Sequence, residues 1–194
     1  MLKSILKMRN VVAVAICLAG VTMFSGCDPN KGGVKNGFVI EAKNVAASSS
    51  AITTVKAEMY SFKTFTATYS SNGFKLTLPN EISDLPTGRH TITLWGIDKD
   101  DNYIGAFEYE GEKEGYYYGV TYSYATEDMV YKDESEYDYE GYLLKATYNC
   151  NLKKGWNTEY NKTVVNEVNK TITSTATTDK PSGVNFSWQF YSLY

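Results

Sequence analysis

The residues that could do chemistry in this sequence are concentrated between Asp98 and Glu140. This range holds 14 of the 22 Asp and Glu residues and 10 of the 17 Tyr residues. Carboxylates can accept hydrogen bonds from sugar hydroxyls, and tyrosine provides a large rigid contact area with a polar tip. The composition is therefore typical of a recognition surface. The alternative is that tyrosine is present as a good strand former and the charges serve solubility.

Five aromatic residues are the candidate ligand contacts. Trp95 departs from the alternation of its segment, so either a bulge at Leu94–Trp95 re-phases the strand or the ring lies on the outer face. Tyr117 points outward if its even-numbered neighbours in the same strand face the core. The remaining candidates stand in the acidic run 127–140, which we interpret as a solvated loop: Tyr131, Tyr137 and Tyr139.

Carboxylates in this part of the chain suggest one possible enzyme chemistry. A pair of carboxyl groups from residues 108–140 could serve glycoside hydrolysis if one of them lay in apolar surroundings that raised its pKa. A solvated acidic segment does not provide such surroundings. The sequence also has a single histidine, His90, and no G-x-S-x-G motif. We therefore expect no catalytic site and no cofactor.

Metal binding is suggested by one short motif. Asp98, Asp100 and Asn102 have the D-x-D-x-N spacing of a calcium loop, but Tyr103 and Tyr109 occupy the positions that an EF-hand gives to Gly and Glu. An ordinary hairpin turn is the better interpretation. Zinc is not expected either, because one histidine and no cysteine pair leave too few ligands.

The first residues have the organisation of an export signal. Lys3, Lys7 and Arg9 precede a near-continuous apolar run over Val11–Phe24, which is too short for a comfortable membrane span. Phe24-Ser25-Gly26-Cys27 then resembles the lipobox of bacterial lipoproteins. The resemblance implies a signal peptide over residues 1–26 and acylation of Cys27, followed by a flexible tether over 27–36. The alternative is secretion with Cys27 as a plain thiol.

The cysteines and the charge of the remaining chain restrict its partners. Cys150 alternates with apolar residues, which favours a small buried side chain over a reactive thiol. Residues 27–194 carry 16 Lys and Arg against 22 Asp and Glu, a net charge of −6. Since nucleic-acid binders need a basic surface, we expect no nucleic-acid partner.

Alternation of apolar and polar residues predicts strands from Gly37 onward. Period two is clear in Val55–Met59, Phe74–Leu78 and Val184–Phe190, and Ser71-Asn72-Gly73 is a hairpin signal. Nine or ten short strands with frequent turns predict an all-β fold with little helix, either an antiparallel β-sandwich or an open barrel. Residues 37–194 would form one domain, with two lobes meeting near 111–115 as the alternative. Connections this short argue against parallel strands.

Several segments resemble a group of uncharacterised lipoproteins from Bacteroides-type bacteria. They are Asn72–Pro79, Tyr103–Tyr109, Asn151–Asn157 and Phe186–Tyr191. The resemblance implies export and a lipid anchor, with no established activity. We expect a non-enzymatic protein at the outer membrane or cell surface of a Gram-negative bacterium, held in the membrane by its lipid, that binds a glycan or a partner protein. The alternatives are a structural component of a surface complex and a carboxylate-dependent glycoside hydrolase.

The anchor can be tested by removing the acylated sulfur. We expect Cys27→Ser to leave the protein without lipid, either released from membranes or retained as the precursor. Membrane fractionation with metabolic lipid labelling measures this outcome. Normal cleavage after residue 26 together with full membrane retention of the variant would contradict the lipobox interpretation.

Overall fold

The computed structural model describes residues 37–46, 50–60 and 62–193. All regular structure in these residues is β-strand, which confirms the predicted all-β class. The signal peptide, the tether and Cys27 lie outside the described residues. No helix in the described part of the chain is long and apolar enough to cross a membrane. The strands are β1 Phe38–Ala42, β2 Thr54–Met59, β3 Lys63–Ser70, β4 Gly73–Leu78, β5 Arg89–Ile97, β6 Tyr103–Lys113, β7 Tyr116–Ala125, β8 Met129–Tyr139, β9 Tyr142–Leu152, β10 Gly155–Asn166, β11 Thr171–Thr177 and β12 Ser187–Ser192.

The strands form one mixed sheet in the order β1-β4-β3-β2-β5-β6-β7-β10-β11-β9-β8, and β12 pairs with β6. The expectation of purely antiparallel pairing is wrong at one place, since β9 and β11 run parallel with Leu144 opposite Ile172. No long connection is needed there because β10 itself carries the chain back. β11 then fills the position between β9 and β10.

The β3–β4 hairpin confirms the turn predicted from Ser71-Asn72-Gly73. Ser70 pairs with Gly73, and the two residues between them have positive φ angles of 51° and 56°. This backbone matches the twist of a tight hairpin. Gly73 has a different role, because a Cβ at that position would lie 2.3 Å from the Ala42 carbonyl oxygen.

A first core is formed mainly by residues of β1 to β7 together with β12. The alternation in Val184–Phe190 predicts that Trp188 and Phe190 point inward, and their exposed fractions of 6% and 3% confirm this. Trp188 Nε1 donates to the Glu41 carbonyl oxygen at 3.1 Å, and its ring stacks on Tyr109. The last strand therefore closes a core whose other members come largely from the first half of the chain.

A second core lies on the opposite face of the sheet, and β7 is shared between the two cores. Tyr124 packs into the first core, whereas Ala125 packs into the second. The alternation that turns Tyr117 outward also predicts an outward Ser123, but Ser123 is 0% exposed because its face is covered by the second core. The segment 111–115, the alternative lobe boundary, covers the end of β6 and the turn into β7.

The acidic run is a strand and not the solvated loop predicted from its charge. Odd-numbered residues of β8, including Tyr131, turn toward the second core, whereas Glu134 and Glu136 are exposed. The alternation of tyrosine with carboxylates is the pattern expected of a strand with one face in solvent. β8 also lies at the edge of the sheet, at the end of the strand order. Its outward charges are a device that discourages association of edge strands.

A buried ion pair occupies one end of the second core. Arg89 of β5 donates from Nε and Nη2 to the two carboxylate oxygens of Glu159 in β10, at 2.8 and 2.9 Å. The Arg89 and Glu159 side chains are 6% and 0% exposed. Ser123 Oγ also donates to this carboxylate, and Cys150 Sγ lies 3.5 Å from it. Burial lowers the pKa of Arg89 but the charge of Glu159 more than reverses this, so the guanidinium stays protonated.

Cys150 is fully buried beside this ion pair, as predicted from the pattern around it. Burial and the neighbouring carboxylate raise the pKa of its thiol. Because thiolate is the reactive form of cysteine, Cys150 is an inert packing residue in the folded protein.

Removing one partner of the ion pair is expected to be more damaging than removing both. Arg89→Met or Glu159→Leu leaves a buried charge without its partner and should lower the free energy of unfolding by about 3–5 kcal/mol. The double variant should recover part of this loss. Urea unfolding measures all three, with Glu136→Gln at the exposed Lys145–Glu136 pair as the control. Single variants as stable as that control would contradict the role of the pair.

Tyr131 gives the stability a pH dependence in the alkaline range. The ring lies 5.0 Å from the Arg89 guanidinium, and burial raises the pKa of its phenol from 10.0 to about 12. The unfolded chain releases the phenol proton near pH 10, whereas the folded protein keeps it up to about pH 12. The contribution of Tyr131 to the free energy of unfolding is therefore complete below pH 10 and is lost as the pH rises toward 12. Denaturant unfolding at increasing pH should show this loss, and Tyr131→Phe should reduce its slope. An unchanged slope would contradict the assignment.

Candidate functional site: a cleft at a three-way strand junction

Strands β5, β6 and β7 meet in a three-way junction, because each of them pairs with both of the others. All three ladders are antiparallel, and each strand passes from one partner to the next along its length. The paired segments are Arg89–Ile92 with Tyr122–Ala125, Leu94–Ile97 with Tyr103–Phe107, and Tyr109–Lys113 with Tyr116–Val120.

A single residue in each strand stands at the centre of this junction. These residues are Thr93 in β5, Glu108 in β6 and Thr121 in β7, and none has a ladder partner on the side facing the junction. The strand alternation places their three side chains on the same face of the sheet, opposite to Leu94 and Phe107. Diverging ladders leave space between backbones, and the junction accordingly opens a cleft.

The cleft has a volume of about 330 Å³. This is near the lower end of the range of about 300–1,000 Å³ for small-molecule sites. Aromatic rings provide much of its wall, and two carboxylates, one amide and several threonine hydroxyls provide its polar groups. The residues that line it are Glu58, Tyr60, Thr91, Ile92, Thr93, Leu94, Trp95, Ala106, Phe107, Glu108, Tyr109, Tyr117, Gly119, Val120, Thr121, Tyr122, Asn161, Thr163 and Trp188.

Glu58 is held in place by a tyrosine and a lysine. Tyr103 Oη donates to Glu58 Oε1 at 2.5 Å, and Lys56 Nζ lies 3.3 Å from the same oxygen. Lys56 also donates to Tyr103 Oη, and this hydrogen bond is the main reason why the pKa of Lys56 is raised. The Trp95 and Tyr103 rings pack edge to face, with 5.7 Å between their centroids. The network fixes a carboxylate and an indole ring at one side of the cleft.

The other polar groups come from β6, β7 and β10. Tyr117 Oη donates to Glu108 Oε2 at 3.5 Å, which joins two neighbouring strands of the junction. Asn161 Nδ2 donates to Thr121 Oγ1 at 2.8 Å, and the Asn161 side chain is almost fully buried. These groups are oriented by the sheet before any ligand arrives, which lowers the entropic cost of binding.

Gly119 keeps the cleft open. It lies in β7 between Tyr117 and Thr121, and a Cβ at this position would meet only the Tyr117 ring edge, at 4.0 Å. Its φ angle is not in the positive region, so the backbone there does not demand glycine. A larger side chain would therefore project into the cleft without straining the strand.

Trp95 and Tyr117, two of the five aromatic candidates, both line this cleft. The strand irregularity near Trp95 falls at Gly96–Ile97 and not at Leu94–Trp95. Trp95 consequently keeps the phase of Thr93 and lies on the face opposite to Leu94, which was the second of the two predicted arrangements.

The other three candidates lie on β8 and do not line the cleft. Tyr131 is 2% exposed and belongs to the second core, so its surface is not available to a ligand. Tyr137 packs against the same core, and Tyr139 is half-buried at the end of the strand. The structure thus separates the candidates into a cleft pair and a group on the edge strand.

Glu58, Tyr60 and Asn161 were missed by sequence reasoning. Glu58 and Asn161 look like ordinary polar positions on the wet faces of strands, and only the pairing of β2 with β5 and of β7 with β10 brings them to the cleft. Gly119 offered a usable signal, because a glycine inside a strand often marks close approach of a ligand or another backbone.

The loop Asp98–Asn102 has the turn geometry that the sequence favoured over a calcium site. Asp98 Oδ1 accepts the backbone N–H groups of Asp100 and Asn102 at 2.8 and 2.9 Å. These hydrogen bonds, above all the one from Asn102, lower the pKa of Asp98. The carboxylate therefore serves to hold the β5–β6 hairpin closed.

Comparison with known proteins assigns no relative to this chain. No family model matches it, and neither the curated proteins nor the solved structures contain a significant match.

Proposed function

We propose that this protein is a lipid-anchored, non-catalytic binding protein of the cell envelope that holds a glycan in the junction cleft. Its anchor would be the acylated Cys27, with the domain at the outer membrane or cell surface. The observation that carries the proposal is the combination, in one cleft, of aromatic residues with carboxylate, amide and hydroxyl groups that neighbouring strands hold in place.

Sugar rings present both apolar C–H faces and hydroxyl edges, so a binding site needs both kinds of partner. Trp95 and Tyr60 supply aromatic surface, and Tyr60 is 74% exposed at the turn that follows β2. Glu58, Glu108 and Asn161 supply polar atoms, and charge-assisted hydrogen bonds to carboxylates are the stronger kind. The walls and the polar groups of the cleft therefore suit a sugar better than a purely apolar ligand.

A glycoside hydrolase is the second candidate, and one observation favours it. Glu58 and Glu108 line the same cleft, and such hydrolysis uses two carboxyl groups on either side of the scissile bond. If the wild-type protein releases reducing sugar from a glycan, and Glu108→Gln abolishes this release but still retains the glycan, the site catalyses this reaction. Retention without turnover by the wild-type protein supports the binding role.

Two substitutions test whether the cleft is the binding site. Trp95→Ala removes a ring from the wall, and Gly119→Leu fills the cleft where only the Tyr117 ring edge is near. We expect each to weaken retention on a glycan array at least about tenfold, since truncation of a central aromatic contact commonly costs more than 1 kcal/mol of binding. Melting temperatures should stay close to wild type.

Tyr139→Ala is the matched control, because this tyrosine lies on β8 away from the cleft. It should bind like the wild-type protein. Loss of binding in Tyr139→Ala with normal binding in both cleft variants would move the site to the edge strand. A native-envelope pull-down with the same set reports whether a partner protein is the ligand instead.

A further inference from the structure

The junction cleft has residues of both sheet faces in its lining. Thr93, Glu108 and Thr121 stand at its centre on one face, and each ladder of the junction ends beside them in a residue pair whose side chains lie on the opposite face. This opposite face is the one that packs into the first core. All six of these flanking residues line the cleft, namely Ile92 with Tyr122, Leu94 with Phe107, and Tyr109 with Val120.

Trp188 shows from which side the cleft reaches this lining. It belongs to β12, which pairs with β6 along the edge away from β5 and β7. Ser187 and Gln189 of β12 share the face of Glu108, and neither of them lines the cleft. The part of Trp188 that borders the cleft is therefore its ring, which stacks on Tyr109 with 4.9 Å between the centroids. The cleft thus passes between the three strands and ends against the first core.

The two ends of the cleft differ in polarity. The outer end carries Glu58, Asn161 and Trp95, whereas the inner end is formed by the six flanking residues and Trp188. Burial is the main reason why the pKa of Tyr122 at the inner end is raised, and the phenol of Tyr109 adds to it. The inner end is therefore shielded from water, and its aliphatic side chains and aromatic rings suit an apolar group.

We infer that the ligand of the cleft is a glycoside whose apolar aglycone passes through the junction into the inner end, while its sugar stays at the outer end. The inference rests on the proposed function and names its ligand class. Sugar hydroxyls placed at the inner end would exchange water for largely apolar surroundings, which is costly. An alkyl or aryl group instead gains from burial, by about fourfold in affinity for each methylene that enters.

The three tryptophans of the chain can report where each part of the ligand lies. Trp95 is at the outer end, Trp188 is at the inner end, and Trp156 of β10 is not among the lining residues. Fluorotryptophan labelling gives each ring its own fluorine NMR signal. The probes are the methyl, butyl and phenyl β-glycosides of glucose, galactose and N-acetylglucosamine, so that an alkyl and an aryl aglycone are compared on the same sugar.

Methyl glycosides should shift the Trp95 signal alone. Butyl or phenyl glycosides of the same sugar should shift both Trp95 and Trp188 and bind at least about tenfold more tightly, because their aglycones reach the inner end. The Trp156 signal should stay in place with every probe. A titration followed on these signals gives both the affinity and the position of the ligand.

Two neighbouring residues of β7 allow the ends to be closed separately, because their side chains lie on opposite faces of the sheet. Val120→Phe fills the inner end and should bring the ratio of butyl to methyl affinity close to one. Gly119→Leu fills the outer end and should weaken binding of all glycosides at least about tenfold. Val39→Phe is the matched control, because it makes the same exchange at an exposed position of β1 outside the lining, and it should keep the wild-type ratio.

Two results overturn the inference while glycan binding at the outer end stands. One is equal affinity for methyl, butyl and phenyl glycosides that shift Trp95 and not Trp188, which the wild-type protein alone can show. The other is an unchanged ratio of butyl to methyl affinity in folded Val120→Phe. If no glycoside shifts Trp95, or if butanol alone binds as tightly as the butyl glycosides, the proposed function fails and the inference fails with it.

Discussion

The ion pair between Arg89 and Glu159 constrains the whole arrangement of the sheet. It joins β5 to β10 across β7, and the paired segment of β5 and β7 beside it is the ladder from which the three-way junction opens. Arg89 is the only arginine after residue 9, so no other side chain could give Glu159 the same bidentate partner. A shift in strand register would leave two buried charges apart, which is far more costly than a shift among apolar residues. The pair thus contributes to the uniqueness of the register more than to net stability.

Local patterns predicted the parts of the fold in which one face of a strand is buried. The facing of Trp188 and Phe190 and the β3–β4 hairpin follow from alternation and turn chemistry. The same rules failed for Ser123, because they assume that the face opposite a core is wet. They also failed for β8, where a charged run is a strand whose tyrosines face a second core. The parallel pairing of β9 with β11 depends on a crossover by a strand, which neighbouring residues do not encode.

The residues of the candidate site fall into the same two groups, those that a local pattern predicts and those that only the strand pairing brings together. Trp95 and Tyr117 could be found from the sequence because each interrupts or marks a local pattern, and both lie in the cleft. Glu58 and Asn161 could not, since their positions depend on ladders between strands far apart in the chain. Tyr131 shows the converse error: tyrosine serves equally well in a core and on a recognition surface, and composition alone does not separate the two uses.

The order in which the sheet can be assembled follows from where its latest strands lie. β12 supplies Trp188 and Phe190 to a core built mainly from residues before 125, and β11 must enter between two strands made earlier. The chain leaves the ribosome from its amino end, and β11 and β12 emerge late. Both cores therefore stay incomplete until most of the polypeptide has been made. The nascent chain would expose unfinished strand edges for most of its synthesis. Unpaired strand edges and incomplete cores are prone to aggregation, so the interval before β11 and β12 are made is the stage at which this chain is most vulnerable.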